Sequence, residues 1–314
     1  MKHVVSISLG SSTRDKVIET EFAGLPFEVK RIGTDGSLRR AIELIHSYDG
    51  HADCIGLGGI NRYLVAGGRR YSIREAERMA RAAVMTPVVD GGGLKRTLEP
   101  RVVRQLDADG TLPLAGRKVL LVSGVDRFGL AACLPELGAQ VIYGDLIFAL
   151  GLPIPIRSRK ALDRIGRMLL PLLCQLPISV LYPTGKKQET ADTRYARFFE
   201  WADVIAGDFH FMRRHLPAAL SGKAIVTNTT TQEDVDLLRE RGLDLLVTTT
   251  IALGGRSFAT NVMEGVIVAL AGKRPEDLRE SDYIDWIDRL GWGPRVLHLQ
   301  GASRLWGLGR RSSA

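Results

Sequence analysis

Two short stretches carry side chains of the kind that moves protons or holds charged groups. The first is Asp90-Gly91-Gly92-Gly93-Leu94-Lys95. An Asp and a Lys bracketing three glycines suit proton transfer to or from a hydroxyl, because burial lowers the pKa of a lysine and a carboxylate can orient it. Lys95 is the shuttle in this reading and Asp90 its orienter. The plainer alternative is a flexible turn with Lys95 solvated in a first helical turn. The second stretch runs from Lys118 to Asp145. Gly124 and Gly129 take the first and third positions of a G-x-G-x-x-G turn, Asp126 stands where the second glycine is usual, and Asp145 follows about 20 residues on. Such a turn presents backbone N–H groups to a pyrophosphate, and the distant acid accepts hydrogen bonds from ribose hydroxyls. The alternative is an ordinary sheet turn with Asp126 capping the helix that follows.

Groups of this kind act at the carboxyl ends of parallel strands, so the elements around them matter. Val119–Val122, bounded by Gly124, has the continuous apolar character of a buried parallel strand. A helical period follows through Phe128, Leu130, Ala131, Leu134 and Leu137, and Val141–Tyr143 reads as the next strand. Further strands are expected at Ile178–Tyr182, Val204–Ala206, Ala224–Thr227 and Leu243–Val247, with helical segments at Ala161–Leu173, Arg194–Trp201 and Glu233–Arg241. Upstream, strands at Val4–Leu9, Phe27–Ile32, Asp53–Leu57 and Pro87–Val89 alternate with helices over Leu38–Ile45 and Ile73–Ala83, and a hairpin turns at Gly67-Gly68. The fold expected is α/β with two α/β domains, the second a doubly wound Rossmann-like parallel sheet, and C-terminal helices packing back on the hinge. The polar run Asp107–Gly116 marks the linker. The boundaries are residues 1–110 for a substrate domain, 111–260 for a dinucleotide-binding domain, and 261–314 for C-terminal helices and tail.

The loops after these strands supply the candidate contacts. Gly124, Asp126, Arg127, Phe128, Gly129, Asp145, Thr184 and Thr248 are assigned to a cofactor. Ser11 and Asn61, after the early strands, are assigned to a substrate. Thr231 with Asp234 fits a capping box, whereas the run Thr248–Thr250 ends a strand and has no such structural use. Asp208 and His210 lie near in sequence, but His210 and His215 lack a metal-ligand spacing, and no metal site is expected.

Composition narrows the class. The chain has 314 residues, 45% hydrophobic and 25% charged, with a net charge of +8. The excess is scattered arginine rather than a basic block, which argues for anionic small molecules over nucleic acid. No apolar run reaches the ~18 residues of a membrane span. Cys54, Cys133 and Cys174 stand apart in apolar surroundings and read as buried thiols of a cytoplasmic protein. A homodimer is an open option.

Segments along nearly the whole chain, among them SISLGSSTRD, IGLGGINRYL, PVVDGGGLK, VSGVDRFGLA and VTNTTTQEDVDLLRERGLDLLVTTT, resemble bacterial quinate or shikimate 5-dehydrogenases. The resemblance implies a substrate domain followed by a nicotinamide domain and a hydride transfer at a secondary alcohol of a small hydroxylated acid, with Ser6 and Ser8 at the spacing of the family's paired substrate-binding serines. The Asn-x-Thr-x-Pro-x-Lys segment of established shikimate dehydrogenases is absent. NAD is expected over NADP, because Asp145 would oppose a 2′-phosphate and Leu146, Ile147 and Phe148 offer no arginine to hold one. The rival reading is a small-molecule-binding protein on a dehydrogenase-like scaffold, without turnover.

Overall fold

The computed structural model describes residues 1–178, 194–253, 256–300 and 306. Most of the expected strand at 178–182, and the candidate Thr184, lie outside these residues. The chain is a mixed α/β protein of two compact units. One is built from Met1–Thr97, a stretch beginning at Gly166, and Ala259–Trp292; the other from Leu98–Ile165, a stretch ending at Phe258, and one beginning at Gly293.

The first unit holds a five-stranded sheet of β1 (Lys2–Ser8), β2 (Lys16–Phe22), β3 (Leu25–Gly33), β4 (Cys54–Gly58) and β7 (Val88–Val89), in the order β2-β3-β1-β4-β7. Only β2 runs antiparallel, pairing with β3. β5 (Tyr63–Ala66) and β6 (Arg69–Ser72) form the expected hairpin around Gly67-Gly68. The helix Thr260–Ala271 packs on β1 and β4. It is apolar on nearly all sides, and Val262, Met263, Val266, Ile267 and Val268 are buried. The approach is close: a Cβ on Gly56 would stand 2.7 Å from the Asn261 side chain, and one on Gly265 would stand 2.8 Å from Val4.

The second unit holds β8 (Lys118–Leu121), β9 (Gln140–Tyr143), β10 (Val204–Ala206), β11 (Ala224–Thr227), β12 (Leu245–Thr248) and β15 (Arg295–His298), in the order β15-β12-β11-β10-β8-β9. The first five in the chain are mutually parallel, and β15 pairs antiparallel with β12. A small hairpin, β13 (Ala252–Leu253) and β14 (Arg256–Ser257), interrupts the chain after β12. The sheet's central residues Leu120, Ile205, Ile225 and Leu246 are buried beneath Phe148, Phe199, Phe209 and Leu238. The order β9-β8-β10-β11-β12 places a topological switch point between β8 and β10, where chain crossovers leave in opposite directions and a crevice forms beyond the strand ends.

Candidate functional site

In the second unit the loops leaving β8, β10, β11 and β12 bring one polar network together. Arg127, at the end of the β8 loop, has a side chain only 3% exposed. Its guanidinium donates to Glu99 and to Asp208 at 3.2 Å, and its Nε lies 3.5 Å from Asp126. Burial disfavours the charged guanidinium, but Glu99, Asp126 and Asp208 outweigh it and raise its pKa. Asp208 follows β10 and caps the short helix Phe209–Met212, accepting from the Phe211 N–H. It also accepts from Asn228 Nδ2 at 3.1 Å, which ties the β10 loop to the β11 loop. Burial pushes the Asp208 carboxyl up, yet Arg127, His210 and Asn228 leave it below its usual range. Thr250 Oγ1 donates to the Asn228 carbonyl, and the Thr249 N–H donates to the Thr227 carbonyl at 2.8 Å. The hydroxyls of Thr248 and Thr249, 1% and 2% exposed, meet no hydrogen-bond partner among the described residues. Buried hydroxyls without partners are rare and costly.

Asp145 ends β9 beside this network but faces inward. Its carboxylate accepts the N–H groups of Gly124 at 2.9 Å and Val125 at 3.0 Å. Burial pushes its pKa up to about 6 against those two hydrogen bonds. The glycine turn is thus closed by the chain's own acid. The donors a pyrophosphate needs, the N–H groups of Gly124 and Val125, are taken, and Glu99, Asp126 and Asp208 surround a single arginine. A dinucleotide would meet repulsion here, so the expected NAD site, with NADP as its lesser form, does not stand. Phe128 and Gly129 serve instead as the opening of the helix Phe128–Glu136.

The first unit places the remaining candidates. Lys95 is buried, and its Nζ donates to Asn61 Oδ1 at 2.5 Å. Asp90 accepts from the backbone N–H groups of Arg62 at 2.6 Å and Gly92 at 3.0 Å. The glycine triplet is explained by Glu264, on the helix Thr260–Ala271. Its carboxylate takes the N–H of Gly91 at 2.6 Å and of Gly93 at 2.9 Å, and accepts from the Tyr283 hydroxyl at 2.9 Å. A Cβ at Gly93 would stand 2.5 Å from both Glu264 and Tyr283. Asp90 thus anchors the turn that leads into Lys95. Ser6 Oγ accepts from Asn261 Nδ2 at 2.8 Å, Ser8 Oγ from the Gly10 N–H at 3.1 Å, and Ser11 Oγ from the Thr13 N–H at 3.2 Å. Glu264 carried no signal of function beyond being an acid in otherwise apolar helical sequence, and Glu99 none beyond being one charge among several in its helix. Among the described residues no group of His, Cys, Asp and Glu is arranged to hold a metal ion, and no helix is long and apolar enough to cross a membrane.

Residues 93–299 match a family described as a domain of unknown function, DUF8754, and residues 3–90 match a second, DUF8753. The chain belongs to the DUF8754 family. No curated protein matches it. Similar solved structures include one from Mycobacterium smegmatis in complex with β-D-fucofuranose, at 12% identity and TM-score 0.33, covering 95% of this chain and 99% of that one. A periplasmic sugar-binding protein from Pseudomonas fluorescens shares 12% identity at TM-score 0.35, covering 79% and 75%. An ABC-transporter solute-binding protein from Agrobacterium vitis, bound to α-D-tagatopyranose, shares 9% at TM-score 0.37, covering 95% of each. The families matched are not described as quinate or shikimate dehydrogenases, which corrects that resemblance and the NAD-dependent oxidoreductase activity it implied. The filled glycine turn is the physical reason. Similar structures with a stated compartment are periplasmic, in contrast to the cytoplasmic expectation for this sequence.

Proposed function

We propose that the second unit binds a small polyhydroxylated molecule and does not transform it. The observation that carries this reading is the Arg127–Asp208–Asn228 network lying beside the unpartnered hydroxyls of Thr248 and Thr249, at the carboxyl ends of parallel strands. Planar carboxylate, amide and guanidinium groups match adjacent hydroxyls in pairs, because each offers two donors or acceptors in a fixed fork. The surplus of carboxylates over cations favours a neutral donor of hydrogen bonds and rejects phosphates. Partnerless buried threonines gain partners when such a ligand arrives. Alcohol oxidation would require a nicotinamide beside the hydroxyl, and the turn that would hold one is closed by Asp145.

Isothermal titration with fucose, arabinose, tagatose and allose, alongside NAD and NADP, tests the proposal. Saturable binding of at least one sugar is expected, weakened at least tenfold in Asp208→Ala, with no heat from either nicotinamide. Reduction of NAD or NADP by the protein in the presence of any hydroxylated acid would overturn it. So would the absence of binding by every sugar in the panel.

A further inference from the structure

The first unit has a second concentration of charge at the matching point of its own sheet. β1 and β4 are adjacent and parallel, and their outgoing loops meet through glycines at 10, 58 and 59. The Leu9 N–H donates to the Gly58 carbonyl at 3.0 Å, and Gly59 has a φ of +70°, open to glycine at little cost. Two arginines converge on this spot. A Cβ on Gly10 would stand 2.8 Å from Arg14 Nη2, 3.1 Å from Arg31 Nη2 and 3.2 Å from Ser8 Oγ. Two guanidinium groups and a hydroxyl therefore face one another across the space of one missing methyl group. Arg31 is held in place by hydrogen bonds to the Ser11 carbonyl and to Asp15, both at 3.0 Å. That scaffold uses its Nη1 and leaves Nη2 at the glycine. Burial and the neighbouring charge of Arg14 lower the Arg31 pKa, as expected where like charges are pressed together. Arg31 also lines a groove of about 570 Å³ with Asp15, Lys16, Lys30 and Tyr48, in which three cations outnumber one acid.

We infer that Arg14, Arg31, Ser8 and the Gly10 backbone form an anion site for a small molecule bearing a phosphate ester or a carboxylate. Convergent guanidinium forks are the side-chain arrangement best matched to tetrahedral or planar oxyanions. Glycine at position 10 keeps the floor clear, since any side chain would displace both arginines. The site is independent of the acid-rich hydroxyl site in the second unit and has the opposite ligand preference.

The test uses the full chain and three probes at constant ionic strength: inorganic phosphate, acetate and chloride. Titration calorimetry is expected to give saturable binding of phosphate or acetate, and the stronger of the two identifies the ligand's acidic group. Arg14→Gln and Arg31→Gln should each weaken that binding at least tenfold, and Arg31→Lys only partly restores it. Arg14→Gln serves where Arg31→Gln compromises folding. Absence of saturable binding by both oxyanions below 10 mM, or unchanged affinity in Arg14→Gln, overturns the inference.

Discussion

Arg127 shows how one buried cation sets the character of a site. With Glu99 only 2% exposed beside it, removing the arginine leaves a carboxylate in the interior without compensation. Arg127→Ala is expected to lower unfolding free energy by about 3–5 kcal/mol in urea denaturation, and more than Asp126→Ala, whose carboxylate is 14% exposed and 3.5 Å away. Thr249→Val asks the opposite question. Its hydroxyl has no partner among the described residues, so an isosteric methyl should leave the ligand-free protein as stable or raise its melting temperature by a few degrees, while sugar affinity falls. Loss of stability without loss of affinity would show that the hydroxyl serves the fold. Asp126, Arg127 and Asp145 were legible in the sequence as residues of special surroundings, but not in their roles. A glycine turn looks the same whether its N–H groups await a phosphate or are already closed by an acid further along the chain. Glu264 was invisible for a related reason: its partner Gly91 is 173 residues away, beyond any local pattern.

Among elements, local signals served best where both partners are close in sequence. The capping box at Thr231 is present, with Thr231 Oγ1 accepting the Asp234 N–H and Asp234 Oδ2 accepting the Thr231 N–H. The β5–β6 hairpin and the β8–helix–β9 unit also follow from short-range periodicity and glycine placement. β2 was missed because Lys16–Phe22 is an edge strand with mostly exposed charged and polar positions, and such strands lack a buried-strand pattern. β15 was missed because it lies in a glycine- and tryptophan-containing tail, and only pairing with β12 makes it a strand. The helix Thr260–Ala271 is the element whose fit is most sensitive. A methyl at Gly56 would press on Asn261 Nδ2 at 2.7 Å and on the Asn261 backbone oxygen at 3.1 Å, and would disturb the bond from Asn261 to Ser6. Gly56→Ala is expected to cost about 1–3 kcal/mol by overpacking. A chemical-denaturation midpoint equal to that of the native chain would mean the helix shifts freely on β1 and β4.

At the scale of the molecule, each unit's parallel strands follow one order: β3-β1-β4-β7 in the first and β9-β8-β10-β11 in the second. Each has a polar cluster at its switch point, though the chain shows no sequence repeat that would announce it. Each also carries a carboxylate turned inward on a glycine loop, and this has a consequence for pH. Glu264 is raised to about 7 by burial and by Asp90, with Tyr283 and two backbone N–H groups opposing, and Asp145 is raised to about 6 by burial. A carboxyl raised in the folded state binds its proton more tightly there than in the unfolded chain. Its stabilisation is therefore complete below the unfolded values of 4.5 and 3.8 and is lost as pH rises through about 7 and 6. Asp208 and Glu77, lowered in the fold, act oppositely: their contribution is present above ordinary carboxyl values and is lost as pH falls below about 4. Stability should thus peak near pH 5, between the two windows. Each raised group contributes at most roughly 3 kcal/mol, less where solvent reaches Asp145. Calorimetry should find a melting temperature at pH 5 higher than at pH 8 by about 5 °C or more. In the doubly substituted Asp145→Asn, Glu264→Gln chain the profile between those pH values should flatten, even if the variant melts lower throughout because the four N–H groups of Gly91, Gly93, Gly124 and Val125 lose an ionised acceptor. A double variant that keeps the native slope would place the pH dependence on other groups.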